Sequence, residues 1–369
     1  MWRVFSLFLL ALLLAANAGA TPLRPTVYTH HVRQAFAAPS AADAGKPLVI
    51  ILPGVMGSKL MRQSTGEVIW PPNLVAVDAS VRALACVPPA DAIVPVAEGY
   101  GVSDQYASLC IAARDAGYDV IFMPYDWRKS IDDAAATLDE LLNLYPNRRT
   151  ALIGHSMGGL VIARALDERA PERAAAVVTV ATPYFGSAKS LYVGTYGEPL
   201  GDPFAPQLTD AFNSILNDAL REAVLAITPT LPSFYELLPA QAYGPWLLTE
   251  TPDGAPLMLD DYHGMAFDPA LKAQAERLQA SLAAAAMPAD TWRAVYGVGY
   301  RTVSGYTLNE RGEMAEPFFE DGDGNVTVRS ATRNGAFSDV HAVEGSHMAL
   351  ISDDEVVDYV IATLKEVFP

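Results

Sequence analysis

The sequence predicts an α/β fold built on a mainly parallel central sheet. Continuous apolar runs recur along the chain, beginning with PLVIILPG at 47–54, and such runs are typical of strands buried on both faces of a sheet. Helical patterns separate the earlier runs, and strands that alternate with helices indicate a parallel sheet with helices on both faces. Hydrophobic residues make up 51% of the chain, which is enough for a sizeable core.

Each element is predicted from its own local pattern. The remaining predicted strands are YDVIFMPYD at 118–126, TALIGH at 150–155, AAVVTVATP at 175–183 and RAVYGVGY at 293–300. The predicted helices cover 103–117, 130–145, 157–170 and 353–368. Ser130 is suited to cap the second helix, and the last helix has acids at its start and Lys365 near its end, which complements its dipole.

The chain is expected to divide into a signal peptide, a leader and one large domain. Residues 1–20 join a basic start to an apolar run and end in Ala-Gly-Ala, the pattern of a secretory signal peptide, so we expect an exported soluble protein. Residues 21–46 form an Ala- and Pro-rich leader, and 47–369 form the domain. Within it, 58–102 is loop-rich and 187–290 is rich in prolines and aromatics; they are predicted as a lid region and a cap-like insertion.

The charge of the chain limits the kinds of molecule that the protein is expected to bind. The chain has 25 Lys and Arg residues and 42 Asp and Glu residues, which gives a formal charge of −17. This charge argues against nucleic acid as a partner and against electrostatic docking on anionic lipid.

The two cysteines, Cys86 and Cys110, would form a disulfide or remain as two buried thiols, and the sequence leaves both open. No cysteine or histidine spacing suggests a metal site, and no cofactor is indicated.

The stretch GHSMG at 154–158 indicates a nucleophile. Ser156 lies between Gly154 and Gly158, after a predicted strand and before a predicted helix. This is the context of a G-x-S-x-G elbow, in which a strained strand-to-helix turn exposes the serine hydroxyl. A helix-capping serine would explain Ser156 alone and leave both glycines without a purpose.

A serine nucleophile requires a histidine base. His347, in a loop just before the final helix, is where a base belongs in this chain order. His341 falls in a predicted strand position and His263 in the insertion, so both are expected to be structural or surface groups. His155, next to the nucleophile, is expected to give structural support.

The acid that orients the base is predicted within FFEDGDGNVTVRSA at 318–331. A calcium-loop interpretation of this stretch fails, because an EF-hand loop starting at Asp321 would need Gly at 326 and Glu at 332, where the chain has Val326 and Thr332. Spacing alone leaves Asp321 and Asp323 both open as the acid.

The oxyanion site needs two backbone N–H groups. Met157, the residue after the nucleophile, supplies the first. The loop PGVMGS at 53–58, after the first strand, supplies the second from Met56 or Val55.

These motifs together resemble the lecithin:cholesterol acyltransferase family of α/β-hydrolases, which includes lysosomal phospholipases and phospholipid:diacylglycerol acyltransferases. The resemblance is carried, in order, by ILPGVMGSKL, PYDWR at 124–128, GHSMGG, ATPYFGSAKSL at 181–191, YGVG at 296–299, EDGDGNVTVRS and GSHMALISDDEVVDYV. Several motifs in one order are far more specific than any one of them.

The resemblance implies an α/β-hydrolase fold and assigns roles to particular positions. It implies Ser156 as nucleophile, Asp323 as acid and His347 as base, with Met56 and Met157 as oxyanion donors. It also marks Trp70 as a substrate-binding residue that contacts the acyl chain or the lipid surface. The PYDWR motif is expected to be structural.

The expected function is an exported serine acyl hydrolase or O-acyltransferase that acts on lipid esters, with phospholipid as the first choice of acyl donor. The substrate would be met at a membrane or micelle interface. A thioesterase or amidase would use the same triad. A catalytically inactive lipid-binding protein is a further alternative, although all three triad residue types are present in order.

Overall fold

The structure is a computed structural model, and it describes residues 45–71, 77–86, 93–100, 105–167, 173–197, 218–251, 253–288 and 290–369. The predicted signal peptide at 1–20 and residues 21–44 of the predicted leader lie outside the described residues. None of the helices in the described part of the chain has the length and apolar character that crossing a bilayer requires.

The elements are numbered here in chain order. The strands are β1 Leu48–Leu52, β2 Ser58–Arg62, β3 Val68–Trp70, β4 Ile93–Tyr100, β5 Asp119–Phe122, β6 Thr150–His155, β7 Ala176–Val180, β8 Leu247–Thr249, β9 Trp292–Val298, β10 Tyr300–Leu308, β11 Met314–Gly322 and β12 Val340–Glu344. The α-helices are α1 Val77–Arg82, α2 Ala107–Asp115, α3 Ile131–Leu144, α4 Met157–Asp167, α5 Lys189–Tyr196, α6 Asp218–Ile227, α7 Pro232–Glu236, α8 Pro269–Ala284, α9 Val328–Ala331 and α10 Asp354–Val367.

Six strands form a parallel central sheet in the order β12-β9-β7-β6-β1-β5. Each of the five predicted strands has a counterpart in this sheet, as β1, β5, β6, β7 and β9. Every residue of β1 is fully buried, as expected for a strand with helices on both sides. The predicted α/β class with a mainly parallel sheet is therefore confirmed.

The alternation of side chains along β1 divides the core into two layers. Leu48, Ile50 and Leu52 belong to one hydrophobic cluster, which includes residues of α3 and α4. Val49 and Ile51 belong to a second cluster on the other face, which includes residues of α2 and α10. Successive strand residues point to opposite faces, so one five-residue apolar strand contributes to both layers.

The two long excursions contain more regular structure than the sequence indicates. Within 58–102, β2 pairs with β3 and β4 in an antiparallel sheet, although this segment is expected to be loop-rich. The pairings contain register shifts and the strands carry polar residues, so a clean alternation of apolar and polar positions is lacking. Within 187–290, β8 pairs with β10, which joins the insertion to a third sheet, β11-β10-β8.

A buried carboxyl group from the 187–290 segment caps a helix of the central layer. Ser130 is the N-cap of α3, as predicted, and its Oγ accepts a hydrogen bond from the Asp132 N–H at 3.2 Å. The Ser130 hydroxyl donates to Glu236 Oε1 at 2.5 Å, and the Ile131 N–H donates to Glu236 Oε2 at 2.7 Å. Burial raises the pKa of Glu236 to about 7, although these two hydrogen bonds oppose the rise.

We expect Glu236 to make stability depend on pH. Between pH 4.5 and about 7 the native carboxyl keeps its proton, whereas the unfolded chain has lost it, so ionisation opposes folding as pH rises. Relative to Glu236→Gln, the free energy of unfolding of the wild type should fall through this window by up to about 1.4 kcal/mol per pH unit. Urea denaturation at a series of pH values measures this slope.

Glu140→Gln, on the exposed side of α3, is the matched control and should keep the wild-type slope. Parallel slopes for the wild type and Glu236→Gln would contradict the assignment.

Candidate active site

Ser156 lies at the tight turn between β6 and α4. Its φ of 53° is in the left-handed region that non-glycine residues seldom adopt, as the nucleophile elbow requires. The Ser156 N–H donates to the Val180 carbonyl oxygen at 2.8 Å, which fixes the turn to the neighbouring strand β7. The strain is thus held in place by the central sheet.

The glycines around Ser156 are required by space. A Cβ on Gly154 would lie 2.6 Å from the Gly159 nitrogen, and one on Gly158 would lie 2.5 Å from the Leu52 carbonyl oxygen. Both neighbours are backbone atoms that cannot move aside. The glycines let β6, α4 and the end of β1 approach one another closely, as the G-x-S-x-G pattern indicates.

The structure brings Ser156, His347 and Asp323 together in one hydrogen-bonded chain. Ser156 Oγ lies 3.0 Å from His347 Nε2, and Asp323 Oδ2 lies 2.8 Å from His347 Nδ1. A carboxylate only accepts hydrogen bonds, so Nδ1 carries the ring hydrogen and Nε2 is left to accept from the serine hydroxyl. All three residues are buried.

Asp323 holds His347, the predicted base, through both its side chain and its backbone. Its Oδ1 accepts from the Asn325 and Val326 N–H groups at 2.8 and 2.7 Å, and its carbonyl oxygen accepts from the His347 N–H at 2.8 Å. Asp321, which spacing left open, is exposed, and its carboxylate accepts from the Gly299 N–H instead. Of these two acids, Asp323 is the one in contact with the base.

The loop after β1 packs against the predicted nucleophile. A Cβ on Gly54 would lie 2.8 Å from Ser156 Cβ, and the Gly57 N–H donates to the Gly54 carbonyl oxygen at 3.0 Å to close a tight turn. Met56 lies in this turn with a φ of 62°, and Met157 is the first residue of α4, where backbone N–H groups lack a partner within the helix. Met157 directly follows Ser156 and Met56 lies in the loop that packs against it, and their role as oxyanion donors remains a prediction.

The PYDWR motif supports this loop from behind. The Tyr125 hydroxyl donates to the Pro53 carbonyl oxygen at 2.6 Å, and Trp127 Nε1–H donates to the Ser58 carbonyl oxygen at 3.2 Å. Arg128 forms a buried two-pronged ion pair with Asp126, with nitrogen–oxygen distances of 2.8 and 2.6 Å. These contacts fit the structural role expected of the motif.

Trp70 lies behind the predicted oxyanion loop. Its side chain is 7% exposed, its Nε1–H donates to the Met56 carbonyl oxygen at 2.8 Å, and its ring packs edge-on against Trp127. In this conformation the Trp70 side chain is therefore buried, and contact with the lipid surface stays a prediction. Contact with an acyl chain stays a prediction, and the bond to Met56 makes Trp70 a support of the predicted oxyanion loop.

The other histidines of the described residues lie apart from Ser156, His347 and Asp323 or behind them. His341 is paired with Glu355 and stacked on Tyr359, and His263 contacts the Arg311 carbonyl. His155 is buried behind His347, as expected of a supporting residue. Burial, with a contribution from the adjacent His347, lowers the pKa of His155 to about 3, so its ring is neutral at ordinary pH.

Cys86 and Cys110 do not form a disulfide with each other, which resolves the question that the sequence left open. Cys110 lies in the core layer of α2 and α10, and Cys86 packs against the opposite layer. Among the described residues, no group of His, Cys, Asp or Glu side chains is arranged to hold a metal ion.

The fold has solved counterparts. A chain of the Tle4–Tli4 complex superimposes with a TM-score of 0.66 at 13% identity, over 88% of this chain and 98% of that chain, a likeness that establishes fold alone. The chain also superimposes, less closely, on the mature form of a Bacillus licheniformis lipase, BlEst2 (TM-score 0.43, 14% identity, 89% of this chain and 95% of that chain). A membrane phospholipase A described as a bacterial virulence factor follows (TM-score 0.35, 13% identity, 100% and 99%).

The parallel sheet with its serine elbow gives the chain the α/β-hydrolase fold. Within that class, residues 101–242 match the sequence model of the lecithin:cholesterol acyltransferase family, which confirms the resemblance carried by the ordered motifs. The matched segment includes PYDWR, the elbow and ATPYFGSAKSL. No curated protein sequence matches the chain.

We expect Gly158→Ala to destabilise the fold. The added Cβ would meet the Leu52 and Pro53 carbonyl oxygens at 2.5 and 2.6 Å, so strand and helix must separate. Overpacking of this kind costs about 1–3 kcal/mol of unfolding free energy, measurable by urea denaturation. Gly45→Ala is the control, because a Cβ there meets nothing within 4 Å, and equal stability of the two variants would refute the steric argument.

Proposed function

We propose that the protein is a serine acyl hydrolase or acyltransferase that acts on lipid esters, with a phospholipid as acyl donor. The single observation that carries the proposal is the unbroken hydrogen-bonded chain from Ser156 through His347 to Asp323. It gives a serine hydroxyl, a base in the correct tautomer and an acid to hold it, which are the parts that acyl transfer through a serine ester requires.

The proposed reaction runs in two halves. Ser156 Oγ attacks the ester carbonyl carbon while His347 Nε2 takes the hydroxyl proton, and the carbonyl electrons move onto oxygen, where the Met56 and Met157 N–H groups stabilise the charge. Collapse of this intermediate breaks the bond to the leaving alcohol, which receives the proton from His347. Water or a lipid alcohol then attacks the carbonyl carbon of the acyl-serine and gives its proton to His347; the bond from that carbon to Ser156 Oγ breaks, and Oγ takes the proton from His347.

The family match supports lipid esters as the substrate class, and the charge of the chain bears on how it would meet lipid. The matched family is named for transfer of an acyl group from lecithin, a phospholipid, to cholesterol. The formal charge of −17 opposes electrostatic attraction to anionic lipid, so contact with a lipid interface would be apolar.

We also propose that the protein is exported, because residues 1–20 have the pattern of a secretory signal peptide. N-terminal sequencing of the mature protein tests this, and the expected first residue is Thr21.

Ser156→Ala should abolish product formation without loss of folding. The purified protein and the variant are incubated with phosphatidylcholine vesicles that contain diacylglycerol or a sterol, and all acyl products are measured by mass spectrometry. Free fatty acid with lysophospholipid identifies a hydrolase, and a new glyceride or sterol ester identifies a transferase. Equal product from both proteins would overturn the proposed nucleophile, and no product from the wild type would overturn the proposed substrate.

Asp323→Asn should lower kcat by about 10³- to 10⁴-fold, because an amide N–H facing His347 Nδ1 stabilises the tautomer that cannot accept the serine proton. Asp321→Asn is the matched control, since it makes the same change two residues away on an exposed side chain and keeps an oxygen for the Gly299 N–H. Hydrolysis of a soluble p-nitrophenyl ester measures both. Similar rates for the two variants would remove Asp323 from the proposed triad.

A further inference from the structure

Behind the triad, two buried side chains connect the predicted oxyanion loop to the base loop. The Gly54 N–H donates to the Tyr106 hydroxyl oxygen at 2.9 Å, and this oxygen lies 2.9 Å from His155 Nδ1. On the other side of the ring, His155 Nε2 lies 3.1 Å from the His347 carbonyl oxygen. Tyr106 and His155 are each 1% exposed, so these hydrogen bonds are shielded from water.

The direction of each hydrogen bond follows from the groups present. His155 Nε2 faces a carbonyl oxygen, which only accepts, so Nε2 carries the ring hydrogen. Nδ1 of a neutral ring then accepts, and the Tyr106 hydroxyl donates to it while accepting from the Gly54 N–H. The hydrogen bonds from Gly54 to His347 therefore share one direction.

This order is insensitive to pH over the ordinary working range. Burial raises the pKa of Tyr106 to about 12, and burial with the nearby His347 lowers that of His155 to about 3. The neutral state of His155 also affects the predicted base, because the ring centroids of His155 and His347 are 5.1 Å apart. A charged His155 would oppose the charge that His347 acquires in the proposed mechanism.

The loop around Gly54 has the shape needed to receive the Tyr106 hydroxyl. A Cβ on Gly57 would lie 2.9 Å from the Tyr106 Oη, and the Tyr125 hydroxyl holds the preceding Pro53 carbonyl. The hydroxyl of Tyr106 therefore lies inside the turn that carries Met56. Displacement of this oxygen would release the turn on one side and the His347 carbonyl on the other.

We propose that Tyr106 and His155 are positioning residues that set the distance between the base His347 and the oxyanion loop. The inference rests on the proposed function and adds to it two residues that act through others. A purely structural pair would change stability and leave turnover per folded molecule unchanged. A positioning pair changes kcat, because small displacements of catalytic groups slow acyl transfer steeply.

The first test is Tyr106→Phe. Active sites are counted with a fluorophosphonate, which labels an activated serine, and kcat and KM are measured per labelled site with p-nitrophenyl butyrate. We expect kcat to fall by about 10- to 100-fold with KM within about twofold of the wild type. The matched control is Tyr184→Phe, which removes another buried hydroxyl. That hydroxyl accepts a hydrogen bond from the Trp292 Nε1–H at 2.8 Å and donates one to Thr179 Oγ1 at 3.0 Å. We expect this variant to keep the wild-type kcat.

A pair of His155 variants tests the second residue. His155→Gln keeps an N–H that can donate to the His347 carbonyl, whereas His155→Leu removes both hydrogen bonds. The inference expects kcat per labelled site to be several-fold higher in His155→Gln than in His155→Leu. The acid limb of the pH–rate profile should stay in place in His155→Gln, because the replaced ring is neutral.

The outcomes separate this inference from the proposed function. A wild-type protein that neither labels nor hydrolyses the ester overturns the proposed function itself. Normal labelling with wild-type kcat in Tyr106→Phe, or equal kcat in the two His155 variants, overturns the positioning role alone. If neither Tyr106→Phe nor His155→Gln folds, Tyr106 and His155 have a structural role, and this outcome also overturns the positioning role.

Discussion

The close crossing of β6 and α4 at Ser156 is the constraint on which the rest of the site depends. Ser156 follows the end of β6 and adopts a φ of 53°. This turn is possible because the glycines on either side of Ser156 allow α4 to begin in contact with the backbone at the end of β1. The same approach places the loop after β1 beside the serine. The nucleophile and the predicted oxyanion loop are therefore consequences of one packing arrangement, and neither is positioned without the other.

The central sheet brings the remaining groups to the same edge. In a parallel sheet all carboxyl ends lie on one side, so the segments that follow β1, β6 and β12 meet there although they are far apart in the sequence. His347 follows β12 and contacts Ser156 after β6, and Asp323 reaches the same edge from the end of β11. The buried apolar strands thus supply the rigidity on which the hydrogen-bonded chain depends.

The sequence was sufficient for the central sheet and for the residues that the structure brings together, because those features leave local signals. Buried parallel strands appear as apolar runs, and the elbow needs glycines at fixed positions. Asp323 was separable from Asp321 only through the family resemblance, since the difference lies in which carboxylate turns inward. The strands within 58–102 were missed because their pairing is irregular.

Two buried contacts had no signal in the sequence at all. Glu236 caps α3 from more than a hundred positions away, and Tyr106 meets Gly54 and His155 across separate elements. Tyrosine and glutamate at those positions look like ordinary residues of a helix or a loop. Only the tertiary fold shows that their polar atoms are buried and which groups satisfy them.

The double attachment of His347 to Asp323 has a consequence for control of the protein. Because Asp323 holds His347 through its carboxylate and through its backbone carbonyl, the two loops are joined by two hydrogen bonds. A conformation that keeps the acid in place and withdraws the base would have to break both bonds in a buried setting. A change that leaves these buried bonds intact would therefore have to act on the approach to Ser156.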